Sequence, residues 1–300
     1  MSDTMIKLDI WLPEVCHIAY EAGQLISKYY HQVDDVDMEH KADGSPVTEA
    51  DHAADDFICK ALSKLTPNIP LVTEESVGNI PFEDRQAWST YWLVDPLDGT
   101  KEFIAKTDEY SVNIALIHDH KPVLGVVYGP ELGNLYFGYQ SLDTTVNNRI
   151  GKIEGLIPSN INLEFEWQAM LNDAKSISVA KIPSQNNGEG EAFKVAVSRR
   201  HGGALQRFMG QLGHSTTVKM GSALKTCLVA EGEADVYPRF GPTSLWDPGA
   251  AQCILEVAGG GVLNAAGHSL EYVQTKSLLN PFFIAVSDTD YQWPKFPEIF

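Results

Sequence analysis

The segment that most restricts this chain is the apolar run Tyr91-Trp92-Leu93-Val94, followed at once by Asp95-Pro96-Leu97-Asp98-Gly99-Thr100. A continuous apolar run of this length reads as a strand buried on both faces, which demands a sheet covered by helices on either side. Two carboxylates three residues apart emerge at its C-terminal edge, where open α/β sheets place their ligands. Carboxylates about 4 Å apart repel by about 4 kcal/mol at an effective dielectric near 20, so the pair calls for a cation or a shared proton. A hard divalent cation with oxygen ligands meets that need. Gly99 lets backbone approach a ligand closely, and Thr100 adds a hydroxyl beside free backbone donors. An EF-hand loop does not fit, because its third and fifth positions would be Leu97 and Gly99. Turn chemistry also accounts for the Asp-Pro and Asp-Gly dipeptides, so the segment alone leaves that alternative open.

Apolar periodicity around this strand predicts a layered α/β architecture. A helix over Leu8 to Tyr30 carries Trp11, Val15, Ile18, Ala22, Leu25 and Tyr29 on one face, and a second runs from near Thr48 to Leu65. Short strands follow at Pro70–Thr73 and Tyr91–Val94, then a meander at Ser111–Ile117, Val123–Tyr128 and Leu135–Tyr139. The pattern weakens between Leu142 and Glu191, where asparagines and Ser184-Gln185-Asn186-Asn187-Gly188 read as connections. Strands and helices then alternate from Lys194, ending in a strand at Phe282–Val286. The expected organisation is therefore an N-terminal α+β subdomain over 1–141, an insertion or junction over 142–193, and a C-terminal α/β subdomain over 194–300.

Composition bounds the partner. The net charge of −18 argues against nucleic acid, whose phosphates need a lysine and arginine surface. A small phosphate ester remains open, provided that metal or a few placed basic residues supply local positive charge. Four separated cysteines, Cys16, Cys59, Cys227 and Cys253, without a CxxC pair, fit reduced thiols. No signal-like or membrane-length apolar segment is present, so a cytoplasmic protein is expected, with peripheral association at the inner membrane left open.

Further acids recur at element ends. Glu74 and Glu75 follow a short strand, and equally suit a solvated loop. Asp51 lies in the first turn of a helix, where Thr48 and Asp51 also make a capping box. Asp247 precedes Pro248 as a helix N-cap would.

In order and separation, Val47-Thr48-Glu49-Ala50-Asp51, Thr73-Glu74-Glu75-Ser76, Asp95 through Thr100, and Trp246-Asp247 resemble the inositol monophosphatase superfamily. The resemblance implies a layered αβαβα sandwich and a lithium-sensitive, magnesium-dependent phosphatase. Asp98-Gly99-Thr100-Lys101-Glu102-Phe103, Val197-Ser198-Arg199-Arg200-His201 and the run from Gly221 through Thr243 are similar to 3′(2′),5′-bisphosphate nucleotidases of the bacterial CysQ type. Adenosine 3′,5′-bisphosphate, a by-product of sulfate activation, is then the implied substrate, with an inositol or sugar monophosphate as the alternative. A weakly catalytic metal- or nucleotide-binding regulator is a second alternative.

By the same resemblance, Glu74, Asp95, the Leu97 carbonyl, Asp98 and Asp247 ligate two or three Mg2+ ions, with Asp95 bridging. Asp51 and Thr100 activate water, with Glu75 in their network. The Gly99 and Thr100 amides hold the phosphate, with Leu97, Asp98 and Asp247 also among the substrate-binding residues, while Ser198, Arg199, His201, Ser222, Lys225 and Arg239 form the wall for a second phosphate and the nucleoside. Pro248-Gly249 departs from the usual pattern after the aspartate without removing it. Oligomeric state is left open.

Overall fold

The computed structural model describes residues 6–32, 38–40, 46–158, 166–183, 191–199 and 202–297. The apolar run at Tyr91 lies within β4 (Thr90–Asp98), which is buried along all but its two end residues. It extends four residues beyond the expected strand and so includes both aspartates. Its sheet holds six strands in the order β3-β4-β5-β6-β7-β8, with β3 (Leu71–Thr73), β5 (Ser111–His118), β6 (Lys121–Gly129), β7 (Asn134–Tyr139) and β8 (Arg149–Ile153). Only β3 runs parallel to β4; every later pair is antiparallel.

β4 is buried on both faces because its alternating side chains serve two cores. Trp92 and Val94 pack with α1 (Leu8–Gln32) and α2 (Glu49–Leu65), while Tyr91 and Leu93 pack with α7 (Leu224–Ala230) and α8 (Trp246–Val257). Before α2 lies a two-stranded hairpin, β1 (Met38–His40) with β2 (Pro46–Thr48), which periodicity did not reveal. Short helices α3 (Phe82–Arg85) and α4 (Thr100–Ile104) flank β4.

The second sheet has the order β10-β9-β11-β13-β12, built from β9 (Phe193–Val197), β10 (Ser215–Lys219), β11 (Val236–Arg239), β12 (Gly261–Asn264) and β13 (Phe283–Val286). One face, with Ala196, Tyr237 and Ala285, shares the α7/α8 core; the other, with Val195, Val236 and Ile284, meets α6 (Gly203–Leu212) through Leu205, Phe208 and Leu212. The layers therefore run helices, sheet, helices, sheet, helix: the expected αβαβα sandwich. Helix α8 sits tightly against the first sheet because Gly125 of β6 has no side chain. A Cβ there would come within 2.2 Å of the Ala250 carbonyl oxygen.

Three details differ from the sequence reading. β8 falls within the 142–193 stretch, yet pairs with β7 from Tyr139–Arg149 to Leu135–Ile153 and completes the first sheet. Helix α5 (Trp167–Asp173) buries Trp167 and Leu171 in the α1 core, whereas Ile177 packs in the α7/α8 core and Phe193 in the core of the second sheet, so the stretch is shared between the two halves. Helix α8 begins at Trp246 with Leu245 at its cap, so Asp247 stands in the first turn rather than at the N-cap. The polar runs at 159–165 and 184–190 lie outside the described residues. Among the described residues no helix is long and apolar enough to cross a membrane.

Candidate active site

β4 reaches its carboxylate end through a bulge. Between Asp95 and Asp98 it advances three residues while β5 retreats two, from Asn113 to Ser111. In an unbroken strand, residues three apart point to opposite faces; the surplus residue returns Asp98 to the side of Asp95. Gly99 then takes φ 90° and ψ 40°, a left-handed turn that suits glycine, and begins α4. The Thr100 hydroxyl donates to the Leu97 carbonyl at 3.3 Å. The Leu97 side chain itself is buried in the α1/α2 core, leaving only its carbonyl to serve the site.

Four other carboxylates converge on Asp95 from separate elements. Burial pushes the Asp95 carboxyl well above the usual carboxylate range, and Glu74, Asp98, Asp247 and Asp51 push it further. Asp247 is raised likewise by burial, then by Asp98 and Glu74, against a lowering by Arg239. Asp98 is raised by burial and restrained chiefly by Lys225. Side chains from α2, the turn after β3, β4 and α8 thus share one negative field, although 51 and 247 are far apart in sequence.

Among the described residues no three of these acids, as they stand, approach closely enough to make a closed metal centre. Hydrogen bonds hold three of them. Trp246 Nε1 donates to Glu74 Oε2 at 3.1 Å, the Ser244 amide to Asp247 Oδ2 at 3.2 Å, and the Ala223 amide to Asp98 Oδ2 at 2.5 Å. Asn113 Nδ2 also donates to Asp98 Oδ2, at 3.2 Å. The decisive observation is Asp95 Oδ1, which is buried with no hydrogen-bond partner. An ionised oxygen in that position needs a cation, and an all-oxygen donor set suits a hard divalent one. These residues fit such an ion.

Beside the acids opens a cavity of about 630 Å³ that brings both sheets together. Asp98, Gly99 and Asp247 line it together with Ser198, Arg199, Ser222, Lys225 and Arg239. Lys225 is buried, with Nζ donating to the Ser222 carbonyl at 2.6 Å and lying 5.2 Å from the Tyr237 ring. Ser222 holds φ 46°, a left-handed conformation that a helix cannot include, and α7 starts beyond it at Leu224. Arg239 donates from one terminal nitrogen to the Pro242 carbonyl at 2.9 Å, and its buried Nε has no partner. Arg199 is held by Glu109 through two hydrogen bonds.

Of the expected residues, Asp51, Glu74, Asp98 and Asp247 act on Asp95, several of the others line the cavity, and the Thr100 hydroxyl is tied to Leu97. His201 lies outside the described residues. Glu75 pairs with His52 Nδ1 at 3.3 Å and raises Asp55 rather than Asp95. Asp51 lies almost wholly buried, 1% exposed, in the first turn of α2. Sequence reasoning missed Trp246, Asn113 and Glu109. Trp246 adjoins Asp247 and was visible in the motif, whereas Asn113 and Glu109 acquire their roles only through strand pairing and loop packing.

The inositol monophosphatase family model matches residues 7–290. The 3′(2′),5′-bisphosphate nucleotidase CysQ of Escherichia coli K12 is 41% identical over 275 residues, spanning 91% of this chain and 98% of that protein. The crystal structure of CysQ from Bacteroides thetaiotaomicron superposes with a TM-score of 0.74 at 34% identity, covering 90% of this chain and 94% of that one. An IMPase from Thermotoga maritima, at 20% identity, shares the fold with a TM-score of 0.67 over 92% of this chain and 91% of its own. A family model spanning nearly the whole length, over the carboxylate geometry just described, means that this chain belongs to the inositol monophosphatase family.

Proposed function

We propose that the chain is a metal-dependent 3′(2′),5′-bisphosphate nucleotidase, removing phosphate from adenosine 3′,5′-bisphosphate to leave AMP. The observation that carries this reading is the unpartnered buried oxygen of Asp95, set among acids beside a cavity that Arg199, Lys225 and Arg239 also line. The kinship with proteins named as that nucleotidase, at 41–42% identity over 91% of this chain, supports the substrate.

In this reading Glu74, Asp95, the Leu97 carbonyl, Asp98 and Asp247 hold two or three magnesium ions. When bound, magnesium lowers the pKa of water and offsets charge growing on the phosphoryl and leaving oxygens. Asp51 and the Thr100 hydroxyl would orient the attacking water and the Asp51 carboxylate would take up its proton, with Glu75 and His52 steadying that side of the site. The Gly99 and Thr100 amides, free at the start of α4, receive the scissile phosphate. Lys225 and Arg239, with Ser198, Arg199, His201 and Ser222, hold the second phosphate and the nucleoside, since a bisphosphate needs a second anion site. No thiolate nucleophile is called for: burial raises all four thiols, Cys59 to about 12. Unpaired thiols also suit a cytoplasmic place of work.

The test is phosphate release from adenosine 3′,5′-bisphosphate and inositol 1-phosphate, side by side, with and without magnesium. Magnesium-dependent preference for the nucleotide is expected. Preference for inositol phosphate would keep the metal site and discard the basic wall, while no release from either would favour a binding regulator.

A further inference from the structure

Glu109 stands just before β5, outside the carboxylate group around Asp95, and touches three parts of the cavity at once. Its carboxylate takes both near nitrogens of Arg199, Oε2 from Nε at 3.1 Å and Oε1 from Nη2 at 2.6 Å. Its backbone carbonyl lies where a Cβ on Gly221 would meet it at 2.5 Å, and where one on Gly99 would meet it at 3.4 Å. The phosphate-side turn at Gly99 and the loop leading to Ser222 are therefore packed against the same residue that grips Arg199.

The two partners of this ion pair differ in freedom. The Glu109 side chain is 10% exposed and that of Arg199 is 50% exposed. Glu109 also stands on a fixed base. The neighbouring Asp108 holds φ 64°, and its carboxylate accepts from Tyr30 Oη at 2.7 Å while its amide donates to the same oxygen at 3.1 Å. Lys106 in the same loop lies over the Tyr30 ring and donates to the Tyr30 carbonyl. A rigid acid thus holds a side chain that would otherwise spread over many solvent-exposed rotamers. The grip uses the Nε edge of the guanidinium. Nη1 is left for another acceptor, and Arg199 lines the cavity.

The geometry points to Glu109 as a positioning residue that sets selectivity for a second phosphate, by holding Arg199 in the cavity wall with its outer edge toward the ligand. This rests on the nucleotidase reading above. A guanidinium fixed before the ligand arrives loses little freedom on binding, so its charge-assisted bonds count almost in full. Glu109 does not touch the reacting atoms, so its loss should leave turnover of a substrate without a second phosphate unchanged. Replacing Glu109 with glutamine leaves one neutral acceptor and sets an amide donor where the second carboxylate oxygen stood, so the charged two-point grip on Arg199 is lost.

The experiment compares adenosine 3′,5′-bisphosphate with adenosine 3′-phosphate in the magnesium-loaded full chain, for wild type, Glu109→Gln, Arg199→Ala and the double variant. Glu109→Gln should raise KM for the bisphosphate roughly ten-fold, with kcat and the constants for adenosine 3′-phosphate unchanged. In the Arg199→Ala background the same substitution should have no further effect on selectivity, since the two act as one unit. If Glu109→Gln does not fold, Arg199→Lys keeps the charge, removes the fork and should show the same selective rise in KM. Equal loss on both substrates, or additive effects in the double variant, overturns the assignment. Wild-type failure to hydrolyse either nucleotide overturns the nucleotidase reading, and this assignment with it. Normal wild-type turnover with an unaltered KM ratio in the variants overturns the assignment alone.

Discussion

Replacing Asp95 with asparagine should move stability and activity in opposite directions. Asp95 is 2% exposed, has an oxygen without a partner, and sits in the field of Glu74, Asp98, Asp247 and Asp51. Without metal, its charge has neither solvent nor counter-ion, and an unsatisfied buried acceptor costs about 1–3 kcal/mol. Asparagine keeps the shape, removes the charge and offers an amide to the surrounding carboxylates. The chelated Asp95→Asn protein should therefore be more stable than chelated wild type at neutral pH by about 1–2 kcal/mol. The melting temperature should rise by roughly 2–4 °C for each kcal/mol. Activity should fall by at least about 10³-fold, because the residue proposed to bridge the ions is gone. Melting curves with chelator and with magnesium decide the matter. Magnesium should stabilise wild type by several degrees and the variant hardly at all. A variant less stable than wild type in chelator, yet still protected by magnesium, would refute the reasoning.

Gly125→Ala should destabilise the protein by about 1–3 kcal/mol in urea unfolding, because the new Cβ meets the Ala250 backbone at 2.2 Å and α8 must shift outward. That shift carries Asp247 with it, so magnesium affinity measured by calorimetry should weaken too. Trp246→Phe removes the hydrogen bond to Glu74 and should weaken magnesium binding about 10–100-fold in the same measurement, with little change in the fold. Metal-free Asp95 and Asp247 have carboxyls above the ordinary 3.8, so the folded state binds protons more tightly than the unfolded state. Their contribution to stability is full below about pH 4 and is lost as pH rises through the folded values. The gap in melting temperature between magnesium-loaded and chelated protein should therefore widen from about pH 5 to pH 8.

Much of the architecture was legible because periodicity reports burial. α1 and α2 appear within a few residues of their expected spans, since Val15, Ala22, Ile58 and Leu62 recur on a helical face that is in fact buried. β4 reads as an apolar run because both its faces meet helices. What escaped was pairing. The β1–β2 hairpin is two three-residue strands, too short to show a period, and β8 reads as a loop because Arg149, Gly151 and Lys152 interrupt its apolar residues. Lys152 is nevertheless buried there, bound to Glu231 at 2.7 Å.

The site was legible as a set of acids at element ends, but not as a geometry. The bulge between Asp95 and Asp98 depends on the register with β5, which no local pattern encodes. The cap expected at Asp247 was displaced because α8 begins at Trp246, whose indole is needed at Glu74. Nothing in the local sequence marks Glu109; its place beside Arg199 comes from a loop fastened to Tyr30.

The central claim is that the oxygen set around Asp95 holds catalytic divalent ions. The most direct measurement is anomalous diffraction from crystals loaded with manganese in place of magnesium. The account predicts at least two peaks beside Asp95, with Asp95 bridging, and with Glu74, Asp98, Asp247 and the Leu97 carbonyl as ligands at about 2.0–2.3 Å. Ions bound elsewhere, with Asp95 Oδ1 still lacking any ligand, would contradict it.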